Sequence, residues 1–168
     1  MALHDDLLAQ AKSLLDFDSH RPKQASLRRA VSAAYYALFH LLVNEATSMM
    51  FSEEKLRLLV GRAFSHTEMK VASRPFANMT LPKEIKQIWP GTIPKELQSI
   101  AETFGELQEQ RHKADYKVDH RLKRNQVREI VARVEKAFRD WESIKGTPIA
   151  RIYLASLLLG KKWKHDEN

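Results

Sequence analysis

The chain has 168 residues, a net charge of +7 and no cysteine. This length supports one packed domain and is short for two, while the lack of cysteine excludes disulfides and thiolate metal sites. No run approaches the roughly 20 apolar residues that cross a bilayer, and the first ten residues are acidic where a secretory signal would be positive. We therefore expect a cytoplasmic protein with no membrane association, with one domain over residues 1–160 and a basic tail over 161–168.

Hydrophobic periodicity predicts an all-α fold, an up-down antiparallel bundle of about five to six helices. The predicted helices cover about residues 3–17, 24–49, 52–71, 94–118, 123–144 and 149–160. Residues 73–94 hold four of the six prolines and are expected to form a long excursion with one helical turn near residues 83–88. The expected core positions of the third helix are Leu56, Leu59, Val60, Ala63, Phe64 and Val71.

The second predicted helix is apolar around its whole circumference. Tyr35, Tyr36 and His40 lie among its small and aliphatic residues and form an expected polar seam. A helix of this kind is buried on several sides, by its own bundle and by a second subunit. We therefore expect a homodimer that buries part of the second or the fourth helix.

The fourth predicted helix directs Arg111 inward, because the residue falls in register with Phe104 and Leu107 on the apolar face. Asp115 follows four residues later on the same face, and Tyr116 lies on an adjacent one. An inward-facing arginine needs a partner, since burying an unpaired charge is prohibitive. Two interpretations stay open, a structural ion pair that sets helix register and a ligand-binding or catalytic site.

A basic stripe is expected on the third helix, where Arg62, His66, Lys70 and Arg74 recur every four residues. Such a stripe can follow a phosphate backbone, and the net positive charge favours phosphate-rich partners. A solvated charged face explains the same spacing. The sequence has no glycine-rich phosphate loop. Glu109 and His112 have the Glu-x-x-His spacing of ferritin-like di-iron bundles, but such a site needs two of these motifs and the chain has no second one. No metal and no cofactor are therefore predicted.

Two segments resemble the most recognisable parts of the HEPN family (higher eukaryotes and prokaryotes nucleotide-binding). They are residues 32–40 (SAAYYALFH) and residues 111–116 (RHKADY), and the layout of the chain is compatible with the family except in residues 73–94 and the tail. The resemblance implies a dimerising helical bundle, often with the arginine region at the subunit interface. Many members are metal-independent ribonucleases of toxin–antitoxin, abortive-infection or CRISPR-linked defence systems.

The chain departs from the ribonuclease motif of that family, which has Arg, four to six residues, and then His, often followed by x-Tyr. Arg111 is followed directly by His112, and the next histidine is His120; Asp115 stands where the catalytic histidine is expected. A carboxylate paired with arginine is a poor proton donor near neutrality. We therefore expect weak or no catalysis from the candidate catalytic residues Arg111, His112, Asp115 and Tyr116, unless folding brings His112, His40 or His66 close to Arg111.

The sequence thus predicts a dimeric HEPN-like protein that binds RNA or a nucleotide, or a defence partner such as a nucleotidyltransferase-type antitoxin. One alternative is a metal-independent ribonuclease. A second alternative is a structural module for protein–protein interaction.

Overall fold

The computed structural model of the protein describes residues 2–160, and the expected basic tail over 161–168 lies outside them. Within the described range the fold is all-α, as predicted, and contains no strand. The predicted number of helices was too low, because residues 2–160 form eight. They are α1 (Leu3–Asp16), α2 (Gln24–Met50), α3 (Glu54–Gly61), α4 (His66–Ala77), α5 (Lys83–Ile88), α6 (Lys95–Tyr116), α7 (Arg124–Ile144) and α8 (Pro148–Leu159).

The long helix α2 forms the centre of the domain. It packs against α1, α3, α6, α7 and α8, and its apolar side chains are buried on several faces, with Leu27, Leu38 and Leu42 fully buried. The chain itself therefore covers the apolar circumference that motivated the expected dimer. The homodimer stays a prediction, and its interface would have to use a surface other than the buried faces of α2.

The third predicted helix is split in two at residues 62–65. Ser65 caps the second part, since its side chain accepts a hydrogen bond from the backbone N–H of Glu68, and such a cap competes with continuation of the preceding helix. The break shifts the helical register, and α3 contributes no buried residue. Phe64 is buried and Val60 packs against the core. The prediction of core positions was wrong for the exposed residues Leu56, Leu59, Ala63 and Val71.

The proline-rich excursion begins at residue 78 rather than at Ser73. Ser73 is a buried residue of α4, and its Oγ donates to the Met69 carbonyl at 2.8 Å and lies 2.9 Å from Tyr153 Oη on α8. The contact with Tyr153 holds α4 against α8, and α4 continues through Pro75 in its last turns. The predicted helical turn near residues 83–88 is confirmed by α5.

A side chain of α2 anchors the carboxyl end of α6. The Arg28 guanidinium donates to four backbone carbonyls, at distances of 2.6–3.0 Å, and they belong to Ala114, Lys117, Val118 and His120. These are carbonyls that a helix end and the loop after it leave without helical partners. The anchor matters for the site because the candidate residues lie in the last turns of α6. The predicted end of this helix at residue 118 was two residues too late, since α6 ends at Tyr116 and Val118 is 90% exposed.

Helices α7 and α8 close the bundle. Val127, Val131, Val134, Ala137 and Trp141 of α7 are buried at the three- and four-residue spacing that predicted the helix. Among residues 2–160, no helix has both the length and the apolar composition of a membrane span.

Candidate functional site

Helix α6 turns Arg111 towards the centre of the bundle. Leu107 precedes it by one turn and is buried, and only 13% of the Arg111 side chain is exposed. The guanidinium carbon lies 5.3 Å from the ring centroid of Tyr35 and 5.8 Å from that of Tyr36, both on α2. Aromatic rings attract a cation at such distances, so these two rings compensate part of the cost of turning an arginine inward.

Asp115 is the ionic partner of Arg111. Arg111 Nη1 donates to Asp115 Oδ2 at 3.5 Å, and Ser32 Oγ on α2 donates to the other carboxylate oxygen. The predicted pairing of these two residues is therefore present, with 31% of the Asp115 side chain exposed. Because both oxygens accept bonds from the chain itself, Asp115 links α6 to α2, which favours the structural interpretation of this pair.

His66 is the first residue of α4 and packs into an aromatic cluster on α2. Its Nδ1 lies 2.6 Å from Tyr35 Oη, and its ring centroid lies 4.2 Å from that of Phe39. Burial lowers the pKa of His66, and the nearby Arg111 and His40 lower it further. Burial also raises the pKa of Tyr35. At neutral pH the hydrogen bond between His66 and Tyr35 therefore joins two uncharged groups.

The remaining residues of the expected polar seam belong to the same cluster. The His40 ring stacks beside Tyr36 with a centroid distance of 6.3 Å, and the Tyr36 ring lies 5.8 Å from that of His66. Burial lowers the pKa of His40, and His4 adds to the effect. The fold thus brings Tyr35, Tyr36 and His40 together with His66, which the sequence had assigned to a different surface.

A cleft of about 410 Å³ runs between α4 and α6. Its cationic side chains are Lys70, Arg74, Arg111, Lys113 and Lys117. The one carboxylate in its lining belongs to Glu109, which accepts a hydrogen bond from Lys70 Nζ at 2.6 Å. This bond holds the pKa of Glu109 below its ordinary value. Positive side chains therefore outnumber negative ones by five to one in this cationic cleft.

His112 and Tyr116 form an aromatic pair beside the cationic cleft. His112 lines the cleft, and its ring centroid lies 5.0 Å from that of Tyr116. Tyr116 is 66% exposed. Of the four candidate catalytic residues, Arg111 and His112 line the cleft, Asp115 is turned to Ser32, and Tyr116 lies at the edge.

The expected basic stripe is divided among three places. Lys70 and Arg74 line the cationic cleft, while His66 packs into the aromatic cluster. Arg62 follows the end of α3 and lines a separate groove of about 550 Å³, together with His4. The prediction of one continuous stripe was wrong for two reasons. The break between α3 and α4 separates Arg62 from the other three residues, and His66, the first residue of α4, packs against Phe39 of α2.

Sequence reasoning missed three contributors to this region. Lys113 and Lys117 follow Glu109 at intervals of four residues, so the spacing itself was a usable signal. Ser32 carried no such signal, because its bond to Asp115 joins positions 83 residues apart.

Comparisons with protein-family models, with curated proteins and with solved structures found no match to this chain. The resemblance to the HEPN family therefore rests on the residues of the two segments, 32–40 and 111–116, alone.

Proposed function

We propose that the protein binds RNA or a nucleotide in the cationic cleft between α4 and α6, as an HEPN-like module with weak or no catalysis. The supporting observation is the set of five cationic side chains that face about 410 Å³ of space with a single carboxylate among them. Lysine and arginine side chains that neutralise phosphates release counterions from the nucleic acid, and this release drives binding. Contacts of this kind position a strand without reading its sequence.

Fluorescence anisotropy of a short labelled RNA at increasing salt tests the proposal. Each phosphate neutralised on a single strand contributes about 0.7 to the salt slope, so three or four contacts predict a slope of roughly 2–3. Arg74→Glu on α4 and Lys113→Glu on α6 reverse one charge on each wall of the cleft. Either variant should weaken binding by about ten-fold or more and lower the salt slope.

Arg151→Glu is the matched control for these charge reversals, because Arg151 is an exposed residue of α8 that does not line the cleft. Its affinity should equal that of the wild type. Failure of the wild-type protein to retain RNA at low salt contradicts the proposal and leaves the protein-interaction module as the remaining hypothesis.

A metal-independent ribonuclease is the second candidate, favoured by His112 and Arg111 lining the same cleft. In that reaction a base removes the proton of a 2′-hydroxyl, the 2′-oxygen attacks phosphorus, and the 5′-oxygen leaves with a proton. Arginine stabilises the charge that develops on the phosphate. We expect slow or no cleavage, because Asp115 is engaged by Ser32 and Arg111. Rapid cleavage in EDTA that His112→Ala abolishes in a folded protein selects the ribonuclease instead.

The homodimer is proposed through the groove between α1 and α3. Leu3 and Leu58 flank this groove and are 57% and 65% exposed. A two-fold axis along the groove sets α1 of each copy against α3 of the other, which covers the exposed Leu3 and Leu58 side chains. Light scattering should give a dimer that Leu58→Glu dissociates; a wild-type monomer at micromolar concentration contradicts this pairing.

The proposed cellular role lies in a toxin–antitoxin or defence system, with a nucleotidyltransferase-type antitoxin as partner. It is supported by the resemblance of residues 32–40 and 111–116 to the HEPN family. Co-purification with the product of a neighbouring gene tests it, and a gene neighbourhood without any such partner or defence gene argues against it.

A further inference from the structure

An aromatic pair lies beside the cationic cleft and outside the hydrophobic core. Tyr116 is the last residue of α6 and is 66% exposed. Its ring contacts His112 at a centroid distance of 5.0 Å, and His112 lines the cleft. Tyr116 thus presents most of a large ring to solvent at the edge of a strongly positive surface. The aromatic cluster around Tyr35, by contrast, is covered by the fold.

Each ring of this pair is followed in the chain by a lysine that lines the cleft. His112 precedes Lys113, and Tyr116 precedes Lys117. Residues four apart lie on one side of a helix and about 6 Å apart along its axis. The end of α6, together with Lys117 directly after it, therefore carries two rings next to two cations. Exposed rings beside cations are the arrangement on which proteins stack unpaired bases while they hold the phosphates.

We propose that the cleft takes single-stranded RNA, with one unpaired base stacked on the Tyr116 ring and the adjoining phosphates on Lys113 and Lys117. Bases inside a duplex have both faces covered by their neighbours, so a paired strand offers phosphates to the cleft and no base face to Tyr116. Tyr116 is then the residue that distinguishes an unpaired strand from a paired one. This inference rests on the proposed function of the cleft and names its substrate class.

The first experiment uses fluorescence anisotropy to compare an unpaired RNA with a hairpin of the same length, whose two paired strands are joined by a base-free linker so that no unpaired base is present. Tyr116→Ala should weaken binding of the unpaired strand by about ten-fold, which is the size of one lost base–ring contact. It should change hairpin binding by less than about two-fold, because the charges of the cleft are intact. Tyr116→Phe keeps the ring and should bind as the wild type does. Phe17→Ala is the matched control, since Phe17 is 76% exposed and does not line the cleft.

The second experiment removes the base instead of the ring. An RNA with one abasic nucleotide keeps every phosphate and loses one stacking face. Moving this nucleotide along the strand should identify one position at which wild-type affinity falls about ten-fold. The same abasic strand should cost Tyr116→Ala nothing further, because two changes that remove one contact are not additive.

Two results overturn the inference. One is an equal loss of strand and hairpin binding in Tyr116→Ala, and the other is an abasic penalty that persists in that variant. Either result leaves the proposed function standing if Arg74→Glu still weakens all RNA binding in a salt-dependent manner. If the wild-type protein retains no RNA at low salt, the proposed function fails first and this inference fails with it. Circular dichroism of each variant confirms that the exposed Tyr116 site tolerates the substitution.

Discussion

Arg28 should be among the most sensitive polar positions in the protein. Its guanidinium ties α2 to the end of α6 and to the loop after it through four carbonyl oxygens. Arg28→Ala removes all of these bonds, together with a positive charge at the negative end of the α6 dipole. We expect a large loss of stability from this partly buried polar residue.

The magnitude follows from the geometry of the donors. Nη1 makes one bond and Nη2 makes three, although Nη2 has only two hydrogens. About three full hydrogen bonds are therefore at stake, each contributing on the order of 1 kcal/mol net. Water replaces part of this in the variant, because the bonds to the Lys117 and Val118 carbonyls lie at the exposed surface. We expect the free energy of unfolding to fall by roughly 2–4 kcal/mol, which lowers the melting temperature by about 2–4 °C per kcal/mol for a chain of this size.

Urea unfolding followed by circular dichroism at equilibrium measures this loss directly. Arg28→Lys keeps the charge but cannot span four oxygens with a compact ammonium, so it should fall between the wild type and Arg28→Ala. Arg29→Ala is the matched control, because Arg29 is the next residue and is exposed; it should stay within about 0.5 kcal/mol of the wild type. A loss below about 0.5 kcal/mol in Arg28→Ala refutes the reasoning.

Three further predictions concern the aromatic cluster, the ion pair and one turn. Burial lowers the pKa values of His40 and His66 from their ordinary value, so these two residues take up protons more readily in the unfolded chain than in the folded protein. The free energy of unfolding in urea should therefore fall as the pH is lowered from about 7.5 to 5. The double variant His40→Gln/His66→Gln should show a weaker dependence on pH. Arg111→Ala should lower the free energy of unfolding by about 2 kcal/mol and Asp115→Ala by about 1 kcal/mol, because the Arg111 side chain is the more buried of the two. If Arg111→Ala is as stable as the wild type, the two tyrosine rings do not hold the guanidinium in place. Gly146 has φ of +81°, a backbone conformation that is strained for alanine. Gly146→Ala should therefore lower the free energy of unfolding by about 1 kcal/mol and reduce the melting temperature. An unchanged melting temperature would argue against the left-handed conformation at this position.

The helices that the sequence determined correctly are those whose boundaries depend on their own residues. Helix α2 was expected over 24–49 and spans Gln24–Met50, because an apolar pattern at three- and four-residue spacing continues without interruption. The break between α3 and α4 was missed for the opposite reason. Apolar residues continue on both sides of Gly61, at which α3 ends, and a single glycine inside such a pattern does not by itself predict a break. The cap formed by Ser65 then starts α4 as a separate helix.

The contacts of the candidate site likewise include some that the local sequence predicts and some that it does not. The sequence determined the pairing of Arg111 with Asp115, because residues four apart on a helix are neighbours whatever surrounds them. Only the tertiary structure decided that Lys70 and Arg74 face Lys113 across a cleft, and that His66 lies against Tyr35 instead of on a basic stripe. These contacts join helices that are distant in the chain. Their geometry depends on how the apolar faces of α2, α4 and α6 pack against one another. A local sequence pattern does not show which charged side chains this packing brings close together.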